Sequence, residues 1–324
     1  MTEAQRKEHL AGVAAGAGAY ILWGILPLYW KLIQHVPSEE ILAHRMIWSF
    51  VFMLGVLMVM KRINKFIREL KELFTNKKKL LGLIFASIFI TINWYTYIWA
   101  VNNNHVVEAS LGYYINPLVS VLLGIIVLKE RLSFWQIISF LLATIGVLNL
   151  TLHFGSIPWV AISLALSFGL YGLLKKMTAL GALTGLTIET MFITPIALIY
   201  VSFLVNDGSN SFVMADPNTA LLLFGAGVAT AVPLLLFATG ANRISLTMIG
   251  FLQYIAPTIM LVIGVFLYNE PFSQVHMISF IFIWIALSIF TLANTKLLAR
   301  FEPRLSKKAK AYEHANKKPD SHAG

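Results

Sequence analysis

Ten runs of about 20 mostly apolar residues, set apart by short segments that hold most of the charge, leave this chain few ways to fold. A run of that length is what a helix needs to cross about 30 Å of hydrocarbon. In that solvent every backbone N–H and C=O must be satisfied inside the protein, so the pattern specifies a polytopic, all-α membrane protein. The charge content agrees. Only 12% of the 324 residues are charged, against roughly a quarter in soluble domains. The spans read as residues 10–33, 41–60, 80–101, 106–128, 134–152, 157–174, 182–205, 219–239, 246–268 and 274–295. The first, preceded by a short segment and followed by no convincing cleavage site, reads as an uncleaved signal anchor.

The formal charge of +10 is placed by loop parity, which argues against a nucleic-acid partner. The loop after span 2 holds Lys61, Arg62, Lys65, Arg68, Lys71, Lys77, Lys78 and Lys79, and Lys129 and Arg131 follow span 4. Lys175 and Lys176 follow span 6, Arg243 follows span 8, and the tail from Lys296 onward is basic. With alternating spans these all fall on one side, together with Arg6 and Lys7 before span 1, and only Lys31 and Arg45 are left over. Loops 102–105, 153–156 and 206–218, on the other side, carry no Lys or Arg. The positive-inside rule places both termini in the cytoplasm. Within the first cytoplasmic loop, Ile63, Phe66, Ile67, Leu70, Leu73 and Phe74 recur at helical spacing among lysines, which predicts an amphipathic helix on the membrane surface.

Residues 106–150 recur without a gap as residues 246–290, each pair 140 positions apart. Tyr114 falls on Tyr254, Pro117 on Pro257, Gly124 on Gly264, Glu130 on Glu270 and Ser133 on Ser273. More weakly, Trp23, Gly24 and Lys31 match Phe168, Gly169 and Lys176 at a spacing of 145. Five spans per half is an odd number, so the second half enters the membrane inverted relative to the first. Inverted repeats of this kind build secondary transporters that hold substrate between the copies. The expected organisation is a first repeat over 1–152, a second over 153–298 and a basic, disordered cytoplasmic tail over 299–324.

Several polar residues inside the spans are candidates for substrate contact. Pro117 and Pro257 sit near mid-span and free the carbonyls of Tyr113 and Gln253. With Tyr114, Asn116 and Tyr254 they could line a polar cavity or merely stabilise kinks. In span 3, Asn93, Trp94 and Tyr97 lie close together on one side of the helix and suit ligand contact or helix packing equally; Trp99 reads as an interfacial anchor. Arg45 in span 2 and Glu189 in span 7 are charges that should face a bundle interior or a water-filled cavity, although their depths do not guarantee an ion pair. His44 occupies the repeat position of Glu189, which leaves coupling to H+ or another ion open, but a hydrogen-bonded structural role is the plainer reading. Glu130 and Glu270 read as helix-terminal, with Ser133 and Ser273 as N-caps of the next helices. Glu108 reads as solvated at the outer edge of its span.

The chain has no cysteine, so disulfides, thiolate metal sites and a cysteine nucleophile are excluded. Neither a phosphate-binding GxxxxGK[ST] loop nor an HExxH helix is present, and no paired carboxylates or nucleophile–base set stands out. No cofactor or metal is expected, and the chain does not read as an enzyme.

The stretches Asn93–Ala100, Ser110–Leu118, Glu189-Thr190, Thr230–Leu234 and Gly250–Pro257 resemble the RarD branch of the EamA transporters, in the drug/metabolite transporter superfamily. The resemblance extends to about Leu298. It implies ten helices in two inverted five-helix halves, a bacterial inner membrane, and export of small metabolites or drug-like compounds by alternating access. Small-molecule substrate and lipid bilayer are the expected partners. A flippase for a lipid-linked carrier and a non-transporting membrane scaffold are the competing readings.

Overall fold

The bilayer's demand for saturated backbone is met by helix throughout the described part of the chain. The computed structural model describes residues 3–102, 105–153, 158–212, 216–267 and 273–293, and contains no strand among them. The helices are α1 (Glu3–Leu32), α2 (Ser38–Val59), α3 (Ile63–Thr75), α4 (Lys77–Asn102), α5 (Val106–Ile126), α6 (Phe134–His153), α7 (Trp159–Thr178), α8 (Ala182–Asp207), α9 (Pro217–Ala241), α10 (Leu246–Gln253), α11 (Ile255–Leu267) and α12 (Gln274–Ala293). Among the described residues ten segments are long and apolar enough to cross a membrane; α10 and α11 together make one of them, and α3 is not among them. The expected tail and Glu270 lie outside the described residues.

Local chemistry sets several helix starts. Asp216 accepts from Thr219 N at 3.2 Å with Pro217 in the first helical turn of α9, and Ser245 accepts from Met248 N at 3.0 Å ahead of α10. Ser133 caps α6 reciprocally: its N–H donates to Gln136 Oε1 (2.8 Å) and Gln136 N donates back to Ser133 Oγ (3.3 Å). Ser273 caps α12 more loosely: its Oγ accepts from His276 N at 3.4 Å and lies 2.7 Å from His276 Nδ1. The expected Ser133 and Ser273 caps are therefore present.

Two compact units emerge, and they do not coincide with the two sequence halves. The smaller spans residues 129–156 and 272–324 and contains α6 and α12. These two helices pack antiparallel, with Asn149 Nδ2 donating to Ser279 Oγ at 2.9 Å and Gly146 opposed to the Ser279 carbonyl. The larger unit spans residues 1–128 and 157–271. In it α5 lies on α7 and α10, α4 on α7, α1 and α2 on α9, α2 on α8, and α1 on α11.

Two of these crossings depend on a missing side chain. A Cβ on Gly227 would stand 2.3 Å from the Trp48 carbonyl carbon, where Ser49 Oγ also donates to the Gly227 carbonyl at 2.9 Å. A Cβ on Gly250 would stand 2.9 Å from the Pro117 carbonyl oxygen. Close backbone approach through small residues is the usual means of packing helices when lipid and side chains are equally apolar.

The surface helix expected at 63–74 is α3. Its apolar stripe is divided. Phe66 and Leu73 are buried against Leu57, Leu83 and Ile188, whereas Ile63, Ile67 and Phe74 are exposed. Half of the stripe therefore anchors the helix to the protein rather than to lipid.

Candidate functional site

The prolines act differently in the two copies of the repeated segment. Helix α5 runs through Pro117 without a break, whereas the matching span is interrupted at Tyr254, dividing it into α10 and α11. The segment around Pro117 packs directly on α10, just before the break. Pro117 O meets Gly250, and Gln253 Nε2 donates to Ser120 Oγ at 2.9 Å. Beside that crossing the larger unit encloses a cavity of about 420 Å³, a size suited to a small metabolite.

The wall comes from specific stretches. It takes residues 20–36 of α1 and the connection after it, 38–45 of α2, 90–97 of α4 and 112–116 of α5. Leu164 and Phe168 of α7, Thr230 and Leu234 of α9, and Gln253, Ala256, Pro257 and Met260 around the break complete it. The cavity thus reaches from mid-span toward the α1–α2 and α4–α5 connections, ending at the exposed Gln34 and at Val36 and Ser38. Toward the other end lies a packed aromatic cluster. The rings of Tyr171 and Phe237 stack at 5.8 Å, Phe168 approaches Phe237 at 5.3 Å, and Trp23 meets Phe168 at 5.8 Å. Tyr171 and Phe237 have no accessible surface.

Arg45 is the charged group in this wall. Its Nε donates to Thr230 Oγ1 at 2.9 Å, and its guanidinium carbon lies 4.8 Å from the Trp30 ring centre and 5.9 Å from that of Trp94. Tyr97 and Tyr113 stand edge to face at 6.2 Å, within electrostatic reach of the guanidinium. Each keeps 38% of its surface accessible although protein surrounds it, because both rings line the cavity. Asn93 lines the wall too, but its amide nitrogen is engaged with Leu164 O (2.9 Å) and Ser167 Oγ (3.0 Å), which ties α4 to α7. Acceptors are left over: Asn116 Oδ1 and Gln253 Oε1 are buried without a hydrogen-bond partner, as is the Tyr20 hydroxyl. Tyr20 lies beside Gln253 in the wall.

The structure therefore gathers Arg45, Asn93, Trp94, Tyr97, Tyr113, Asn116, Gln253 and Pro257 into one cavity wall. It does not bring Tyr114, Pro117, Tyr254 or Glu189 there. Pro117 sits in the α5–α10 contact, and Tyr254 is 1% exposed with its hydroxyl unpartnered. Glu189 is held elsewhere, by Lys175 Nζ at 2.7 Å and the Tyr171 hydroxyl at 3.1 Å. Lys175 is not a loop charge as expected: α7 continues to Thr178, and Lys175 turns inward at 4% exposure. Its neighbour Lys176 reaches the carbonyls of Ala241 (3.2 Å) and Ile244 and satisfies the end of α9.

Three further expectations change. Glu108 is buried, not solvated. It accepts from Val160 N at 2.7 Å at the start of α7 and lies 2.9 Å from His105 Nδ1. His44 is not hydrogen-bonded: both ring nitrogens lack a partner, the ring stacks on Phe212 at 5.0 Å, and Nε2 is 3.9 Å from Glu40. Glu130 lies beyond the end of α5 at Ile126 rather than in its last turn.

Residues 10–152 match the EamA-like transporter family. Over 293 residues the chain is 52% identical to YojE, an uncharacterized transporter of Bacillus subtilis (strain 168), covering 90% of this chain and 97% of that protein. The chain belongs to the EamA-like transporter family. Another relative, protein RarD of Escherichia coli (strain K12), is 45% identical over 287 residues, or 88% of this chain and 95% of that one. A solved crystal structure matches with a TM-score of 0.66 over 89% of this chain and 100% of its own, at 17% identity, a likeness of fold alone. With ten spans and this family, the protein is a multi-pass membrane transporter.

Sequence reasoning missed several wall residues of this EamA-like transporter. Trp23 and Phe168 had a signal, since they are matched positions of the weaker repeat, and their rings meet. Thr230 lies in a stretch that carries the family resemblance, yet nothing local marks it as the partner of Arg45. Trp30 in the wall, and Lys175 outside it, gave no sign of their partners, which lie on other helices.

Proposed function

We propose that this protein is a secondary transporter of the bacterial inner membrane, with both termini cytoplasmic, that exports small amphipathic metabolites or drug-like compounds by alternating access. The observation that carries the reading is the cavity. It is mostly aromatic and apolar, it holds one cation and several unpaired acceptors, and it reaches one end of the larger unit while an aromatic cluster fills the other. The α1–α2 connection, where the cavity ends, lies on the side that the loop charges assign to the outside, which supports an outward-open arrangement. Export as the direction rests on the family resemblance.

The two sequence halves act as inverted repeats in this reading. Tyr113 and Gln253, Asn116 and Ala256, and Trp23 and Phe168 are matched pairs, and all six line the cavity. Exchange between the halves would open the Tyr171–Phe237 side and close the Gln34–Ser38 side. The test is an untargeted comparison of metabolites in the medium of cells that express the wild type, Arg45→Gln or neither. Compounds enriched by the wild type and lost with Arg45→Gln are expected. Identical media for wild type and non-expressing cells would refute export.

A further inference from the structure

The charge balance of the cavity narrows its ligand. Among the described residues of the wall, Arg45 alone is charged. No carboxylate among the described residues forms an ion pair with it, and the buried carboxylates of the larger unit are all committed elsewhere. Glu40 accepts from Ser211 N and Oγ at 2.6 and 2.7 Å, Glu108 from Val160 N, and Glu189 from Lys175 and Tyr171. Only Nε of the guanidinium is occupied, by Thr230. Its terminal nitrogens make no hydrogen bond to the described residues, and Trp30 beside the group limits how it can turn.

A guanidinium held this way is a forked donor already oriented for two oxygens of one anion. An uncompensated cation within a span is costly, so an anion that supplies the missing countercharge gains more than a neutral ligand of the same shape. Tyr97 and Tyr113 add hydroxyl donors nearby, while Trp23, Trp94 and Phe168 offer apolar surface for the remainder of the molecule. We propose that the cavity selects organic monoanions, with a carboxylate or similar group on the terminal nitrogens of Arg45 and an apolar or aromatic body along the wall. The proposal rests on the transport reading only in taking this cavity as the substrate site.

Three probes of one body and different charge test it: phenylacetate, phenylacetamide and the phenethylammonium cation, titrated against purified protein in lipid nanodiscs by tryptophan fluorescence. Phenylacetate should bind about tenfold or more tighter than the amide, and the cation weakest, as expected for hydrogen bonds to a charged group. Arg45→Gln should bring phenylacetate down to the level of the amide and leave the amide within about twofold, which also shows that the variant's cavity is intact; Arg45→Lys should recover part of the preference. Equal affinities of the three probes for the wild type would overturn the proposal. So would a parallel loss of acid and amide in Arg45→Gln, chloride reproducing the phenylacetate signal, or no phenylacetate binding up to about 10 mM. Counterflow in proteoliposomes separates the two readings. Charge-selective binding without counterflow counts against transport and leaves the anion site standing, whereas equal counterflow of acid and amide sinks the anion site and leaves transport standing.

Discussion

Removing either member of the Lys175–Glu189 pair should destabilise the protein more than removing both. The two charged atoms are 2.7 Å apart, and their side chains are 5% and 3% exposed. The Tyr171 hydroxyl donates to the second carboxylate oxygen at 3.1 Å, so each oxygen has a donor. Gly185 leaves room for the ammonium, since a Cβ there would lie 3.1 Å from Nζ. Glu189→Leu, like Glu189→Gln, strands a buried ammonium, at a cost of about 3–5 kcal/mol. Lys175→Met strands the carboxylate at a similar cost. The double variant Lys175→Met/Glu189→Leu leaves no buried charge and should lie near the wild type, because exchanging a buried ion pair for apolar groups of similar volume is often neutral or stabilising. The cycle should thus give a coupling energy of about 3 kcal/mol or more, read from SDS-induced unfolding of purified protein in micelles. Additive losses, or single variants within about 1 kcal/mol of the wild type, would refute the placement of this pair. With the carboxylate held by Lys175 and Tyr171, Glu189→Gln is a stability variant first.

Other outcomes follow from the same geometry. Absence of native cysteine allows clean single-cysteine labelling: Ser209→Cys should react with an impermeant thiol reagent from outside and Lys77→Cys only after permeabilisation, and the reverse pattern would invert the orientation. Gly227→Leu must displace the Trp48 backbone, so the α2–α9 contact should fail, at a cost of about 1–3 kcal/mol or more; a wild-type melting temperature would contradict that crossing. Trp94→Ala and Gln253→Ala, both in the cavity wall, should each weaken phenylacetate binding several-fold in the fluorescence titration, whereas Tyr254→Phe, away from the wall, should leave it unchanged. Identical affinities for all three variants would remove these side chains from the site.

The number and approximate ends of the spans were legible in the sequence because the bilayer sets a length and a polarity that each helix must meet locally. The caps at Ser133 and Ser273 were legible for the same reason: a serine and the helix it starts are neighbours in the chain. Ring pairs such as Trp23 and Phe168 were half-visible, through the repeat. What the tertiary structure alone decided was which face of each helix turns inward. Lipid and protein interior are both apolar, so a membrane helix carries a weak imprint of its buried side. Asn93 and Trp94 could therefore be chosen by their polarity and aromaticity, but nothing local told that Tyr254 and Pro117 point away from the cavity. Charge partners were hidden for a related reason. Glu189 finds Lys175 on the preceding helix and Arg45 finds Thr230 on α9, 185 positions along the chain, and Coulomb's law acts on the distance in space that helix packing sets.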